Sequence, residues 1–434
     1  MHEPFQSGRR AAAWPEAAWA VAHWLGERER SDALLEHLSE ELTGVERARC
    51  QHLVYGVIRH HGRLEALVRP LVTHPPRPIV QAVLRVAGYE LLEALASDPA
   101  GGEGAVAKIV HHAVEQTKAL ASPSEARLVN AVVRRLAAAL AAQTVPPRLA
   151  PAETLAAFFS HPVWLVQRWL AQWGAEATRS LLEWNQQPGA LHARWRRPTP
   201  PPEFFAPTPW PGFFIIAHGH WEQVATLLRE GQMYLQDPAT RLAVEVLAPQ
   251  AGETVLDLCA SPGGKSLQIA DALGSGRVVA VDLPGERQER LRENLTRVRG
   301  VSSVVVAADL ERNLPGKLAG AGLPEHFSAV LLDAPCSNTG VMRQRVDVKW
   351  RLQAGDFARH ARQQLTLLRA AAARVAPGGR LVYSTCSLDA EENEQVVRAF
   401  LAGPDAPFSL ERQILSRPWE TGHDGAGVFL LKRR

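Results

Sequence analysis

Cys336 and Cys386 stand where a thiol is able to do chemistry. The first lies in "DAPCSNTG" (333–340), directly after the apolar run 329–332 and beside the carboxyl of Asp333. The second ends "YSTC" (383–386) after another apolar run, among the hydroxyls of Ser384, Thr385 and Ser387. The thiolate is the nucleophilic form of cysteine, and acids or hydroxyls beside it influence when the proton leaves, so thiolate chemistry fits both positions. The other cysteines read differently. Cys50 sits on a helical apolar stripe as a small core residue, and the same account serves Cys259.

A second group of residues suits a ligand. Asp257 leads into Cys259, Ala260, Ser261, Pro262, Gly263, Gly264 and Lys265, a loop whose two adjacent glycines allow close backbone approach and a turn into a helix. "GGKS" is also the ending of a phosphate-binding Walker A loop. That motif requires a glycine five residues before Gly264, where this chain has Cys259, so a nucleoside-triphosphatase reading is disfavoured. Asp282 falls 25 residues after Asp257 (282 − 257), where an acid pairs with the ribose hydroxyls of an adenosine-containing cofactor and disfavours a 2′-phosphate. One strand-end aspartate alone would read as a helix cap. Asp282, Asp309 and Asp333 ending successive units make that account weaker for all three together.

The elements that must bring these residues together follow from the rhythm after residue 236. Short β-branched runs, "TVLDLC", "RVVAVDL", "SVVVAAD", "AVLLDAP" and "GRLVYSTC", alternate with helical stripes. One such helix carries Leu365, Leu368, Ala372 and Val375 and is expected to end at "PGG". Near-continuous apolar strands imply a parallel sheet covered on both faces, a doubly wound α/β domain in which ligands bind beyond the carboxyl ends of the strands. Asp257 with the 259–265 loop, Asp282, Asp309, Asp333 with Cys336, and Cys386 all stand at strand ends and are expected to converge on one crevice.

Residues 11 to 142 are helical in period. The stripes are Leu53, Val54, Val57, Ile58, Leu64, Leu67, Val68 and Leu71; Val80, Val83, Leu84, Ala87, Leu91 and Leu95; Ile109, Val110, Ala113 and Val114; and Leu128, Val129, Val132, Val133 and Leu136. "SPSE" marks the last start, with Ser122 as cap and Pro123 at the first helical position. "QTVPPRLAP" (143–151) reads as a linker. Beyond it come tryptophan-rich helical stripes with Trp164, Trp169, Trp173 and Trp184, then the proline-rich stretch 197–212, which suits neither a helix nor a central strand. The expected architecture is multidomain: an all-α domain over 1–145, a small mixed α+β connector over 150–235, and an α/β domain over 236–434.

Composition narrows the setting. The 434 residues, 46% hydrophobic and 21% charged, are ordinary for a soluble globular chain. Against 45 Asp and Glu stand 48 Lys and Arg, a net charge of +3, so affinity for nucleic acid has to come from local patches. Four cysteines without a CxxC pair argue against a disulfide framework and a structural zinc, and for a reducing, cytoplasmic setting. The arginine pair in "SGRRAAAW" (7–14) is followed by no apolar signal core, and no run is long enough to span a membrane. His60 with His61 and His111 with His112 have no partners at metal-ligand spacing.

"DLCASPGGK", "DAPCSNTG", "VDVKW" and "YSTCSLDAEENEQVV" together resemble the motifs of Sun-type RNA cytosine-5 methyltransferases. "RARCQHLVYGVIRHHGRLEALV" through "ARLVNAVVRRL" resembles the NusB-like helical RNA-binding domain of the RsmB/Sun-type family, which acts on 16S ribosomal RNA. "QDPATRLAVEVL" fits the approach to the methyltransferase core, which in this family is Rossmann-like. The resemblance implies a monomeric cytoplasmic enzyme that forms 5-methylcytosine with S-adenosyl-L-methionine, through a covalent cysteine–cytosine intermediate, without metal or membrane. It implies Cys386 as nucleophile, Cys336 in product release, and Asp333 serving the cytosine ring near the cofactor's methionine end. Residues 259–265, Asp282 and Asp309 carry over as the cofactor site, with Asp309 toward the adenine. DNA cytosine methyltransferases attack with a Pro-Cys cysteine, so exchanged cysteine roles stay an alternative. Transfer RNA as substrate, and a non-catalytic RNA-binding assembly factor, are the other readings. The family usually has glycine at position 338 and alanine at 261. Candidate RNA contacts are Arg194, Trp195, Arg196 and Arg197; Arg343, Arg345 and Lys349; and the tail 432–434.

Overall fold

The computed structural model describes residues 12–98, 103–403 and 407–434; Arg9 and Arg10 of "SGRRAAAW" lie outside them. The chain divides into two compact units, 1–187 with 342–352, and 188–341 with 353–434.

The first unit is helical. Its longer helices are Ala13–Glu27, Gly44–Val68, Pro78–Ser97, Glu103–Leu120, Pro123–Ala141 and Val163–Gln186, the last broken at Gly174. The core is built from the expected stripes: Leu53, Val54, Val57, Ile58, Leu64, Val80, Val83, Leu84, Ala87, Leu91, Val129, Val132, Val133 and Leu136 are all buried in one cluster with Trp24. Burying one such side chain stabilises the fold by about 1.5–3 kcal/mol. Leu128 is the exception and is exposed. Ser122 caps its helix as expected, accepting the Glu125 backbone N–H at 3.3 Å. Cys50 is fully buried, and burial pushes its thiol up to about 12, which makes it the inert core residue expected.

The helical unit also holds a segment that the sequence places elsewhere. Residues 342–352, with the "VDVKW" motif, add Val346 to the helical core. Lys349 Nζ donates to the Arg59 carbonyl at 2.9 Å, Trp350 Nε1 to the Ile58 carbonyl at 2.8 Å, and Ser31 Oγ to Asp347 Oδ1 at 2.7 Å. The expected linker 143–151 is irregular, but the helices Ala152–Phe158 and Val163–Gln186 beyond it belong to this same unit.

The second unit opens with a small antiparallel sheet of β1 (His192–Trp195), β2 (Phe205–Pro207), β3 (Phe213–Ile216) and β4 (Met233–Leu235), ordered β2-β3-β1-β4. The proline-rich stretch thus supplies only an edge strand, where a missing N–H costs no ladder bond. The main sheet contains β5 (Thr254–Leu258), β6 (Arg277–Asp282), β7 (Ser302–Ala307), β8 (Phe327–Asp333), β9 (Val375–Thr385), β10 (Phe408–Ser416) and β11 (Ala426–Arg433), ordered β10-β11-β9-β8-β5-β6-β7. Strands β5 to β9 pair in parallel, and β10 and β11 add an antiparallel edge that the run pattern did not disclose. The helix expected to reach Val375 ends at Ala372; Val375 begins β9, and "PGG" falls within that strand. The chain leaves β5 toward β6 and β7 and returns on the other side through β8, so the strand order reverses between β5 and β8. A crevice forms beyond the carboxyl ends of strands at such a point.

Candidate active site

Register brings the reactive residues together. Asp333 at the end of β8 pairs with Ser384 on β9, so the loops that follow, bearing Cys336 and Cys386, leave the sheet side by side. The two sulfurs lie 3.3 Å apart. Cys386 is partly exposed and Cys336 is buried. The hydrogen bond to Cys386, with burial second, pushes the Cys336 thiol well above its ordinary range. Cys386 Sγ also donates to Asn338 Oδ1 at 3.2 Å.

Asp333 is held from both sides, accepting from Lys265 Nζ at 2.7 Å and from Ser384 Oγ at 2.8 Å. Burial by itself would lower the Lys265 ammonium, but the charge of Asp333 and the hydrogen bond to it prevail and raise it, so the lysine stays charged. A cavity of about 60 Å³ opens here, lined by Lys265, Ser384, Thr385, Cys386, Asp237 and Asp424.

A network of buried polar groups, most of them inside the two quoted cysteine motifs but given no role there, fixes the two cysteine loops. Glu392, fully buried, accepts from the Ser337 N–H at 2.9 Å, from Ser387 Oγ at 2.6 Å, from Gln364 Nε2 at 3.0 Å and from Ser337 Oγ. Asp389 Oδ2 accepts from Thr339 Oγ1 at 2.7 Å, and Asn393 Oδ1 from Thr385 Oγ1 at 2.7 Å. Gly340 donates its N–H to the Cys386 carbonyl at 2.9 Å, and a Cβ there would lie 2.7 Å from that oxygen, so only glycine lets the loops meet. A buried carboxylate costs several kcal/mol unless hydrogen-bonded, which explains why Glu392 gathers so many donors.

The loop after β5 carries the expected ligand residues. Ser261 N–H donates to Asp282 Oδ2 at 2.7 Å and Leu283 N–H to Asp282 Oδ1 at 2.7 Å, so Asp282 anchors the loop while one lone pair of each oxygen stays available. Asp309 accepts the Glu311 N–H at 2.9 Å in a turn beyond β7. Asp257 is fully buried; burial raises its carboxyl to about 7 although Ser266 Oγ donates to Oδ2 at 2.5 Å. Asp257 Oδ1 and Ser261 Oγ are buried without a hydrogen-bond partner. Burial drives the Cys259 thiol up strongly, in keeping with an inert role. The expected function of the glycines shifts: a Cβ on Gly263 would lie 2.9 Å from Leu291 and one on Gly264 3.0 Å from Gln236 and Tyr234, so protein atoms occupy the approach. Acceptor oxygens at three strand ends suit a ligand with an ammonium and ribose hydroxyls.

Several expected RNA contacts are otherwise engaged. Arg194 and Arg196 both bind Asp271, at 2.6 and 2.8 Å. Lys349 is 1% exposed, Arg343 stacks over Trp184 at 4.1 Å, and Arg433 donates to the Val375 carbonyl. Trp195 and Arg197 bond backbone carbonyls of Thr199 and Glu230, while Arg345 is exposed. Among the described residues no group of three or more His, Cys, Asp or Glu is arranged to hold a metal ion, and no helix is long and apolar enough to cross a membrane.

Residues 244–417 match the family described as 16S rRNA methyltransferase RsmB/F, and residues 17–138 match the NusB family. Ribosomal RNA small subunit methyltransferase B of Sodalis glossinidius (strain morsitans) is 34% identical over 406 residues, covering 90% of this chain and 89% of its own. The protein of the same name from Klebsiella pneumoniae (strain 342) is 31% identical over 443 residues, covering 96% and 97%. Among solved structures, PH0851 superposes with a TM-score of 0.73 at 23% identity, over 98% of this chain and 99% of that one. NSun6 from Pyrococcus horikoshii with SFG gives 0.53 at 19% identity, over 63% and 98%. These two likenesses bear on the fold.

Proposed function

The chain belongs to the RsmB/F methyltransferase family, and from that premise we propose that it transfers a methyl group from S-adenosyl-L-methionine to carbon 5 of a cytosine in 16S ribosomal RNA. The observation that carries this reading is the pair of sulfurs 3.3 Å apart next to the Lys265–Asp333 ion pair. Carbon 5 of cytosine is too weak a nucleophile to take a methyl group unaided. Addition of the Cys386 thiolate to carbon 6 turns the ring into an enamine, whose carbon 5 is nucleophilic. Asp333, kept in place by Lys265 and Ser384, accepts a hydrogen bond from ring N3 once N3 has taken up a proton, for which the Lys265 ammonium is a source. Cys336 acts last, in elimination: a base takes the proton on carbon 5, the carbon–sulfur bond to Cys386 breaks, and Cys386 leaves as a thiolate toward the S–H of Cys336 3.3 Å away. The raised Cys336 thiol supports this division, since it keeps its proton while the more exposed Cys386 attacks.

Asp282, Asp309 and the 259–265 loop, with the unpartnered Ser261 Oγ and Asp257 Oδ1, would hold S-adenosylmethionine. When bound, that cofactor supplies an electrophilic methyl group on a sulfonium. As part of the same proposal, 1–145 binds RNA, 150–235, which is divided between the two units, docks it, and 236–434, apart from the 342–352 segment, transfers the methyl group in the cytoplasm.

The test uses RNA in which cytosine carries fluorine at carbon 5, so that elimination stalls. The wild-type protein should form an adduct that survives denaturation, and Cys386→Ala should not. With ordinary RNA, Cys336→Ala should accumulate the adduct. The reversed pattern would exchange the two roles. A wild-type protein that binds this RNA without forming any adduct would leave a non-catalytic RNA-binding factor as the better account.

A further inference from the structure

Residue 338 has a backbone φ of +62°, in the left-handed region where glycine fits without strain and asparagine is among the few tolerated alternatives. A side chain kept at such a position is best explained by what it touches. Asn338 Nδ2 donates to the Cys336 carbonyl at 2.8 Å. That carbonyl can only accept, so it fixes the amide orientation and turns Oδ1 toward Cys386 Sγ, 3.2 Å away.

We propose that Asn338 governs the protonation of Cys386, holding the nucleophile as a neutral thiol until the carboxamide is displaced. A carbonyl oxygen at this distance is favourable only toward S–H; against a thiolate the same oxygen is repulsive. Deprotonation therefore moves the S–H proton to water and forfeits the bond to Asn338. The amide is a brake on a sulfur that is partly open to solvent and reagents. Charged and titratable groups around this sulfur include Cys336 in contact, Lys265 with its partner Asp333, and Asp237 and Asp424 across the cavity. All are retained when residue 338 alone is changed.

The inference deepens the methyltransferase reading by assigning a control to its nucleophile, and it is tested on the full chain without RNA. Iodoacetamide alkylates the thiolate, forming a carbon–sulfur bond as iodide leaves, and peptide mass spectrometry follows Cys386 separately from the other cysteines. Its rate is measured from about pH 5.5 to 9.5. Asn338→Gly, unstrained at this φ, should move the midpoint down by roughly one pH unit, and Asn338→Asp should move it up, because a carboxylate opposes a thiolate more strongly. An unchanged midpoint in the glycine variant, or a shift of both variants in the same direction, overturns the proposal. The fluorocytosine adduct is measured in parallel on the wild type. An adduct with unmoved midpoints sinks this inference alone, whereas opposite shifts without an adduct sink the catalytic reading and leave Asn338 as the control of the thiol.

Discussion

Lys265 and Lys349 are both largely withdrawn from water, yet their surroundings treat them in opposite ways. Lys265 meets Asp333 at 2.7 Å, and that charge outweighs burial, so the ammonium is strengthened. Lys349 donates to a backbone carbonyl of the helix Gly44–Val68; burial, and then the neighbouring Arg59, push it well below the usual lysine range. A buried amine holds its proton more firmly where an anion faces it and less firmly where a carbonyl and a nearby guanidinium do. The first lysine holds a carboxylate at the candidate site, and the second fastens a segment of chain.

Predictions that would break this contrast start with activity. Lys265→Met should lower kcat/KM for methyl transfer by about 100-fold or more, because Asp333 loses the cation that orients it. Lys349→Met should stay within about threefold, and a reversal of the two would end the distinction. Next comes Glu392→Ala, which strands the donors of Ser337, Ser387 and Gln364. Urea unfolding should report a loss of about 3 kcal/mol. The pH dependence sharpens the contrast further. The folded state raises Asp257 from 3.8 to about 7, so it binds a proton that the unfolded chain has released; the resulting stability is complete below 3.8 and lost as pH rises through about 7. Asp257→Asn should therefore remove roughly 2 kcal/mol of stability loss between pH 5 and 7, read from thermal unfolding. For Lys349 the sign is opposite. Its lowered value means that the unfolded chain binds the extra proton, so stability rises with pH toward 10.5. Lys349→Met should flatten that rise and cost no more than about 1 kcal/mol at pH 9.

The apolar architecture was legible from sequence because burial repeats at fixed periods. The stripes through Leu53, Val83 and Val129, and the five runs that became β5 to β9, declare their buried faces without any knowledge of partners. Both cysteines, Asp333 and the 259–265 loop could be sent to one crevice because the carboxyl ends of parallel strands share an edge. Glu392 received no role although it lies within "YSTCSLDAEENEQVV": an acidic run carries no mark of burial, and two of the donors that make its burial tolerable, both on Ser337, come from 55 positions back in the chain. Asp271 hid the fate of Arg194 and Arg196 in the same way. In β10, Glu411, Arg412 and Gln413 are consecutive and exposed, so an edge strand carried no apolar run to find.

The helical unit takes one of its pieces, Met342–Leu352, from far along the chain. During translation its first 187 residues leave the ribosome about 155 residues (342 − 187) ahead of that piece. At ~5–20 residues per second the wait lasts ~8–30 s, during which the sites that will receive Val346 and Trp350 stand unfilled. A fragment ending at 187 would be born permanently in that unfinished state, so dissecting this protein by truncation at the obvious boundary would misrepresent the half it meant to isolate.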